Sequence, residues 1–436
     1  MHQVDFDLSL EEITKIEGAA TLNVNVRGGV VEECKFGIAE YKRFYTQAMV
    51  GKPAQALPQH LARICGTCSN AHIMASIRAV EHALGITPSA QTQVLRALTM
   101  DGLMIRDHAL HLYLFSLPDL LGKDSILALN ENNEEEHQLL HDAFEVKAAG
   151  NHLSQLVAGR SVHAPIPVVG GFLKIPDAGG IEKCRRELEQ IRPAVLRLIG
   201  VYAESPFNLT TKTNYVALTA HPYSFLQGEL CASNVACIPE EKFMEHLSHV
   251  VVPYSQASAY AFQGELYRVG ALARLNLNKD ALEDRTKTDT AKYLSRFPSD
   301  NAYDNNLAQA IEILHCIDEA LEFLSTHSFY TEAPQRVEPR AGEGIGVIEA
   351  PRGTLYHKVV LDEKGIVTHG DIVVPTGQNQ LAIEWDIKML IEKWLEEGKE
   401  FDNKKALEHE IEQLIRAYDP CMSCAAHFLE VTWDGS

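Results

Sequence analysis

"RICGTCSNAH", residues 63–72, and "DPCMSCAAH", residues 419–427, both spell Cys-x-x-Cys followed by His, and almost the whole chain lies between them. Cys68 and Cys421 are 421 − 68 = 353 positions apart. A structural zinc site normally closes its two Cys pairs over about 12–20 residues, so a local zinc knuckle does not fit this spacing. A thioredoxin-like redox pair keeps its partner thiol inside one motif, and two such pairs would be redundant. Four thiolates supplied from opposite ends of a chain suit a soft metal or a cluster. Spacing and donor type leave open a site that closes both chain ends over a buried helical core.

The intervening sequence has the material for such a core. The chain has 436 residues, 46% of them apolar, and no Ser/Gly-rich or charge-run linker cuts it. A formal net charge of −20 argues against nucleic acid, whose phosphates require a basic surface. "MHQVDFDLSLEEITKIEG" has no basic n-region, apolar h-region or twin-Arg pair, so no signal peptide is expected. Apolar stretches such as "HALHLYLFSLPDLLG" (108–122) are broken by His, Asp and Pro before they reach a spanning length. No membrane span and a cytoplasmic location are the expectation. Nine cysteines do not make a disulfide framework in a chain this long. Outside the two pairs, Cys34, Cys184, Cys231, Cys237 and Cys316 read as buried apolar thiols.

Hydrophobic periodicity divides the chain into three parts. "ATLNVNVRGG" (20–29) alternates, turns at Gly28-Gly29 and returns in "VVEECKFGI" (30–38), which predicts a β-hairpin. From the first Cys pair to about residue 330 the helical period dominates, in 69–85, 91–117 (stopped at Pro118), 134–159, 179–204 and 305–327. Residues 346–376 return to a period of two, with "DEKG" (362–365) as a turn, and one last helix is expected from about 379 to 419. The fold class predicted is mainly α with small β elements (α+β). It is a long-helix bundle (63–335) flanked by an N-terminal β-hairpin region (1–62) and a late β region with a C-terminal helix (336–436).

The flanks of the Cys pairs carry a resemblance. Arg63, Cys65, Gly66, Cys68 and His72, with Asp419, Pro420, Cys421, Cys424 and His427, resemble the two signature motifs of nickel–iron hydrogenase large subunits. "KIEGAATLNV" (15–24), "RDHALHLY" (106–113), "EAPRGTL" (349–355) and "VVPTGQN" (373–379) extend the resemblance over essentially the whole chain. "HALHLYLFSLPDLLG", "VVGGFLKIP" and "NNLAQAIEIL" look most like the cytoplasmic, NAD(P)-linked sulfhydrogenase branch.

The resemblance implies reversible heterolytic cleavage of dihydrogen at a Ni-Fe centre with carbonyl and cyanide on the iron. Cys65 and Cys421 would be terminal nickel ligands, and Cys68 and Cys424 would bridge to iron. Cys421 would take the proton and a buried Glu17 would pass it outward. Arg352 would hang over the metals with Asp107 and Asp419 as its anionic partners. Pro351, Pro375 and Thr376 would pack on the iron side, with Thr376 hydrogen-bonding a cyanide. His72, four residues after Cys68 on one helix face, would bond a bridging sulfur. His163 is given no role, and the other histidines, His108, His111 and His357 among them, read as ordinary rather than ligating.

With no Gly-rich dinucleotide fingerprint in the chain, the resemblance places iron–sulfur clusters, flavin and the NAD(P) site on partner subunits, beginning with an iron–sulfur small subunit. It also implies a divalent ion, magnesium or iron, at His427. Thr46 stands where the family has a carboxylate ligand for that ion, and a neutral hydroxyl is a poorer ligand for a hard cation. Ala19 replaces the usual His of the opening motif. The family's maturation cuts just after the last His, whereas "FLEVTWDGS" follows His427 here, as a retained tail or as an unprocessed chain. The alternatives are a dihydrogen-sensing subunit, which keeps the same ligands, a metal-free scaffold, which loses them, and a zinc protein, which holds one metal per chain and no nickel.

Overall fold

The alternating segment "ATLNVNVR" forms the strand Ala20–Arg27, with every second residue buried. Gly28 and Gly29 both have positive φ (59° and 76°), as a tight hairpin turn demands, and the chain returns in Val30–Ile38. Phe6–Leu10 adds a third antiparallel strand on the other side of Ala20–Arg27. The structure, a computed structural model, describes residues 5–11, 13–398 and 404–426.

Four long helices form the centre: Ala90–Ala109, Glu134–Ala158, Ala178–Ala203 and Asp304–Thr326. Each packs on two of the others in a closed ring. The first two cross closely at Gly102 and Gly150, where any added Cβ would meet backbone of the facing helix. One apolar core runs from Phe6 to Ala426, so both ends of the described chain share it with the bundle.

The late β region is a three-stranded antiparallel meander of Gly342–Ala350, Gly353–Leu361 and Val367–Val373. Its first strand lies on the helix Ser69–Leu84, which follows the first Cys pair. The strand presents Gly342, Gly344 and Gly346, and the helix presents Ala83, Ala79 and Ala75. A Cβ on each glycine would fall on the carbonyl oxygen of its alanine. Two strand residues advance about 6.6 Å and four helix residues about 6.0 Å, so the two rows of small residues stay in step. This contact sets the height of the hairpin tip that follows it. Gly344→Ala is therefore expected to lower stability by roughly 1–3 kcal/mol, the usual range for overpacking, read as a fall in thermal midpoint.

Four expectations need correction. Residues 205–268 are not helical throughout. "NYVALT" (Asn214–Thr219), Glu229–Ala232, Val235–Ile238 and Tyr267–Arg268 form one sheet, and Leu247–Val251 pairs with Ser258–Phe262. These runs are short, rich in β-branched and aromatic residues and bounded by turn residues, and a second apolar core lies mainly among them. Pro118 does not end its helix. The chain passes through a π-helical stretch, Leu110–Ser116, into the short helix Leu117–Leu120, with Pro118 in its first turn. The expected last helix is two, Pro375–Glu396 and Lys404–Ala417, and Gly398 takes a left-handed conformation just past the first. Finally, Cys231 and Cys237 are not free thiols: they form a disulfide across the Glu229–Ala232/Val235–Ile238 hairpin. Cys184 and Cys316 are buried thiols as expected, and Cys34 is half-buried.

Candidate metal centre

Cys65 follows a short 3-10 turn, Ala62–Ile64, and Cys68 occupies the N-cap of the helix Ser69–Leu84. At the other end, Lys404–Ala417 stops and the chain turns through Asp419, whose φ of 49° is uncommon for a residue with a side chain. Cys421 and Cys424 follow at once. The N-terminal segment runs alongside: Glu17 and Cys421 form a parallel bridge, with Met422 N–H donating to Glu17 O at 2.8 Å. Arg43 ties the two Cys loops together by donating to Ile64 O (2.9 Å) and Ser423 O (2.8 Å).

The four sulfurs, all buried, lie within 4.8 Å of one another. Cys65 and Cys421 are 3.5 Å apart, Cys68 and Cys424 3.2 Å, and Cys421 and Cys424 2.8 Å. None of the four is in a disulfide. Among the described residues this is the one cluster of His, Cys, Asp and Glu with metal-ligand geometry. Hydrogen bonds from Cys421, Cys424 and Cys68 hold Cys65 well below the usual thiol range, while burial pushes Cys421 and Cys424 up. Such a set binds a metal with release of protons.

Arg352 sits beside this cluster. The strands Gly342–Ala350 and Gly353–Leu361 pair through Ala350 and Gly353, so Pro351 and Arg352 are the two residues of a tight turn. Arg352 Nη1 donates to Asp107 Oδ2 (2.8 Å) and Nη2 to Asp419 Oδ1 (2.9 Å). Burial works against this guanidinium, but Asp107 and Asp419 more than offset it and raise it above the ordinary arginine value. Its buried Nε has no partner among the described residues. Below the turn, Arg274 donates to Ala350 O (3.0 Å) and Pro351 O (3.1 Å) and is neutralised by Glu312 and Glu349. Burial would raise Glu312, yet Arg274 and then His108 bring it down to about 2.

A small cavity is lined by Cys68, His72, Arg352, Pro375, Thr376 and Cys424, with apolar walls from Ala350, Pro351 and Leu355. Pro375 and Thr376 open the helix Pro375–Glu396, and Thr376 Oγ1 accepts the Cys421 N–H at 2.9 Å. His72 Nδ1 is 3.1 Å from His357 Nε2, and burial holds His72 down to about 4 and His357 well below its usual value, which disfavours the charged form of both rings. Glu17 is half-buried rather than buried. Its Oε2 accepts from Cys421 Sγ at 3.0 Å and from Ser423 N–H at 3.2 Å.

Glu17, Arg352, Asp107, Asp419 and the four cysteines thus converge on one place with His72, Pro351, Pro375 and Thr376. Thr46 is half-buried in the short helix Tyr45–Met49. His427, and with it the expected divalent ion, lies outside the described residues. His163 donates its backbone N–H to Ser69 Oγ. Sequence reasoning missed Arg43, Arg106 and Arg274, whose positive charge surrounds or supports the thiolates, and His357, the partner of His72. Arg106 donates to Thr67 O inside the first Cys loop at 2.5 Å, and its place beside Asp107 in "RDHALHLY" was the one available signal.

Comparison with known proteins assigns the class. The nickel-dependent hydrogenase family model matches residues 46–174 and 202–427, and the chain belongs to that family. It is an oxidoreductase acting on hydrogen. Within the family the chain is similar to the alpha subunit of sulfhydrogenase 1 of Pyrococcus furiosus, at 30% identity over 99% of this chain and 100% of that protein. One subunit of the F420-non-reducing hydrogenase of Methanothermobacter marburgensis is 28% identical over 97% of this chain and 95% of that protein. Among solved structures, an NAD+-reducing [NiFe]-hydrogenase in the H2-reduced state superposes with a TM-score of 0.85. It covers 98% of this chain and 100% of its own, at 24% identity, and so bears on the fold.

The residues present fit a nickel–iron centre. Four buried, unpaired thiols make a soft donor set able to share sulfurs between two metals. The adjoining cavity is small and largely apolar, with an unpartnered Arg352 Nε and the Thr376 hydroxyl at its wall as donors.

Proposed function

We propose that this chain is the catalytic large subunit of a multi-subunit, cytoplasmic nickel–iron hydrogenase that interconverts dihydrogen with protons and electrons. Cys65 and Cys421 would hold nickel, and Cys68 and Cys424 would be shared between nickel and an iron carrying carbonyl and cyanide. When bound, the metal pair supplies a site that polarises dihydrogen and takes up its electrons. The observation that carries the reading is the meeting of four buried thiols from both chain ends beneath Arg352.

The chain's own groups supply the rest. Cys421 Sγ, at 3.0 Å from Glu17 Oε2, is a proton acceptor with a carboxylate within direct hydrogen-bond reach. Glu17 is half-buried, which suits a group that passes a proton from the interior to a wetter path. Arg352, held by two carboxylates, keeps a fixed positive charge at the cavity wall without spending its Nε. Pro351, Pro375 and Leu355 exclude water from the cavity, and Thr376 orders Cys421 through its backbone N–H. His72, paired with His357, keeps an imidazole edge beside Cys68 and Cys424.

Electrons pass through an iron–sulfur small subunit to NAD(P) on flavin-bearing and further iron–sulfur partners. The relatives are named as single subunits of hydrogenases, and the structural neighbour is NAD+-reducing; both support this. Among the described residues no helix is long and apolar enough to cross a membrane. Elemental analysis of the purified complex is expected to find nickel and iron, with infrared bands of carbonyl and cyanide and dihydrogen-driven reduction of NAD+ or NADP+. One zinc per chain with neither band would overturn the reading.

A further inference from the structure

One face of the helix Asp304–Thr326 grips both segments that deliver the site. Asn305, Gln309 and Glu312, at i, i+4 and i+7, lie on the same side of a helix. Asn305 Nδ2 donates to Ala417 O (2.8 Å), just before the second Cys pair. Glu312 holds Arg274, which in turn holds the carbonyls of the Pro351–Arg352 turn. Gln309, buried without exposure, lies between them and hydrogen-bonds to His111 and Asp419.

Its hydrogen bonds have a defined direction. Asp419 Oδ1 is occupied by Arg352 Nη2 (2.9 Å), and Asp419 Oδ2 accepts from Gln309 Nε2 (3.0 Å). A carboxylate takes donors only, so the NH2 of the amide faces Asp419 and its oxygen faces away. That oxygen lies 2.5 Å from His111 Nδ1, which donates to it; His111 Nε2 lies 2.7 Å from Arg416 O and 3.1 Å from Ser116 Oγ. Because Gln309 Oε1 and Arg416 O only accept, the two bonds form together when the ring carries a proton on each nitrogen. His111, buried in the π-helical stretch Leu110–Ser116, therefore locks the amide in one orientation. The locked amide ties one oxygen of a carboxylate whose backbone conformation is unusual, and only the other oxygen is left for Arg352.

We propose that Gln309, backed by His111, is a positioning residue for hydrogen turnover: it aims Asp419 so that the Arg352 guanidinium is held in one plane over the four cysteines. Without it, Asp419 is free to rotate or to take Arg352 by both oxygens, and the guanidinium leaves its Asp107–Asp419 bracket. This inference rests on the hydrogenase reading above.

The test is a double-mutant cycle in the purified complex with Gln309→Leu, Arg352→Lys and the two together. Gln309→Leu is expected to load nickel and iron like the wild type and to lose about tenfold in turnover per nickel, since small misplacements near a reacting centre are costly. Arg352→Lys is expected to lose roughly a hundredfold, and the double variant to stay within about twofold of Arg352→Lys, because the two act through one contact. The infrared cyanide bands of Gln309→Leu should shift in the same direction as those of Arg352→Lys. Additive losses, or unchanged turnover per nickel, overturn the proposal. If Gln309→Leu fails to load nickel, the isosteric Gln309→Glu, which sets an acceptor against Asp419, goes through the same cycle. Failure of both to load metal also overturns it, since Gln309 then serves assembly rather than aim. A wild-type complex without nickel or the infrared bands would instead sink the underlying reading before any variant is compared.

Discussion

Changing Cys65, Cys68, Cys421 or Cys424 singly to Ser is expected to give a folded chain that carries no nickel and turns over dihydrogen at background. A serine hydroxyl stays protonated where a thiol ionises, and its oxygen is a hard donor that does not readily share lone pairs between two soft metals. Local packing changes little, since the side chains are nearly isosteric and the site is held by Arg43, Thr376 and the Glu17–Cys421 bridge around it. Cys184→Ser and Cys316→Ser are the controls. Both thiols are buried but stand outside the four-sulfur cluster, so nickel content should be unchanged. Metal analysis and dihydrogen oxidation on the same preparations check both halves. Full nickel loading in Cys421→Ser would remove the basis for assigning the cluster.

The second large effect is expected at Glu17. Gln replaces it with the same shape and can still accept the Ser423 N–H, but it cannot take up a proton. Glu17→Gln should therefore retain nickel and iron while turnover falls by roughly 10²–10⁴-fold, the range for loss of a positioned acid–base group. Exchange of deuterium gas with solvent protons should fall with it, because that exchange needs the same route outward. Glu17→Asp, a carboxylate on a shorter arm, should recover part of the rate. A Glu17→Gln complex with full turnover would leave Cys421 without its carboxylate relay.

Much of this site was legible in the chain, and the reason is chemical. Cys-x-x-Cys places two soft donors on one loop, and the family resemblance of the flanks makes the two phrases halves of one centre. Arg352, Asp107 and Asp419 could be paired through the family resemblance, and the structure puts Arg352 at 2.8 Å and 2.9 Å from the two carboxylates. His357 and Gln309 were not legible. His357 sits 285 positions from His72 and Gln309 sits 110 from Asp419, with no spacing rule linking either pair. The same holds for Cys231 and Cys237, whose pairing depends on the turn of a hairpin in a region where the periodicity was read as helical.

By itself, the sequence determined the two cysteine pairs and the mainly helical body with small β elements, and the family resemblance implied that the two ends meet. Composition, periodicity and ligand chemistry are local properties, and they survive in one dimension. Only the tertiary structure decided how the ends are held together. The glycine row of Gly342–Gly346 lies on the alanine row of the helix Ser69–Leu84, and one polar face of Asp304–Thr326 holds both the Arg352 turn and the approach to Cys421. Those choices depend on matched rises, closed hydrogen-bond chains and buried charges balanced across the core, which exist only once residues far apart in the chain are in contact.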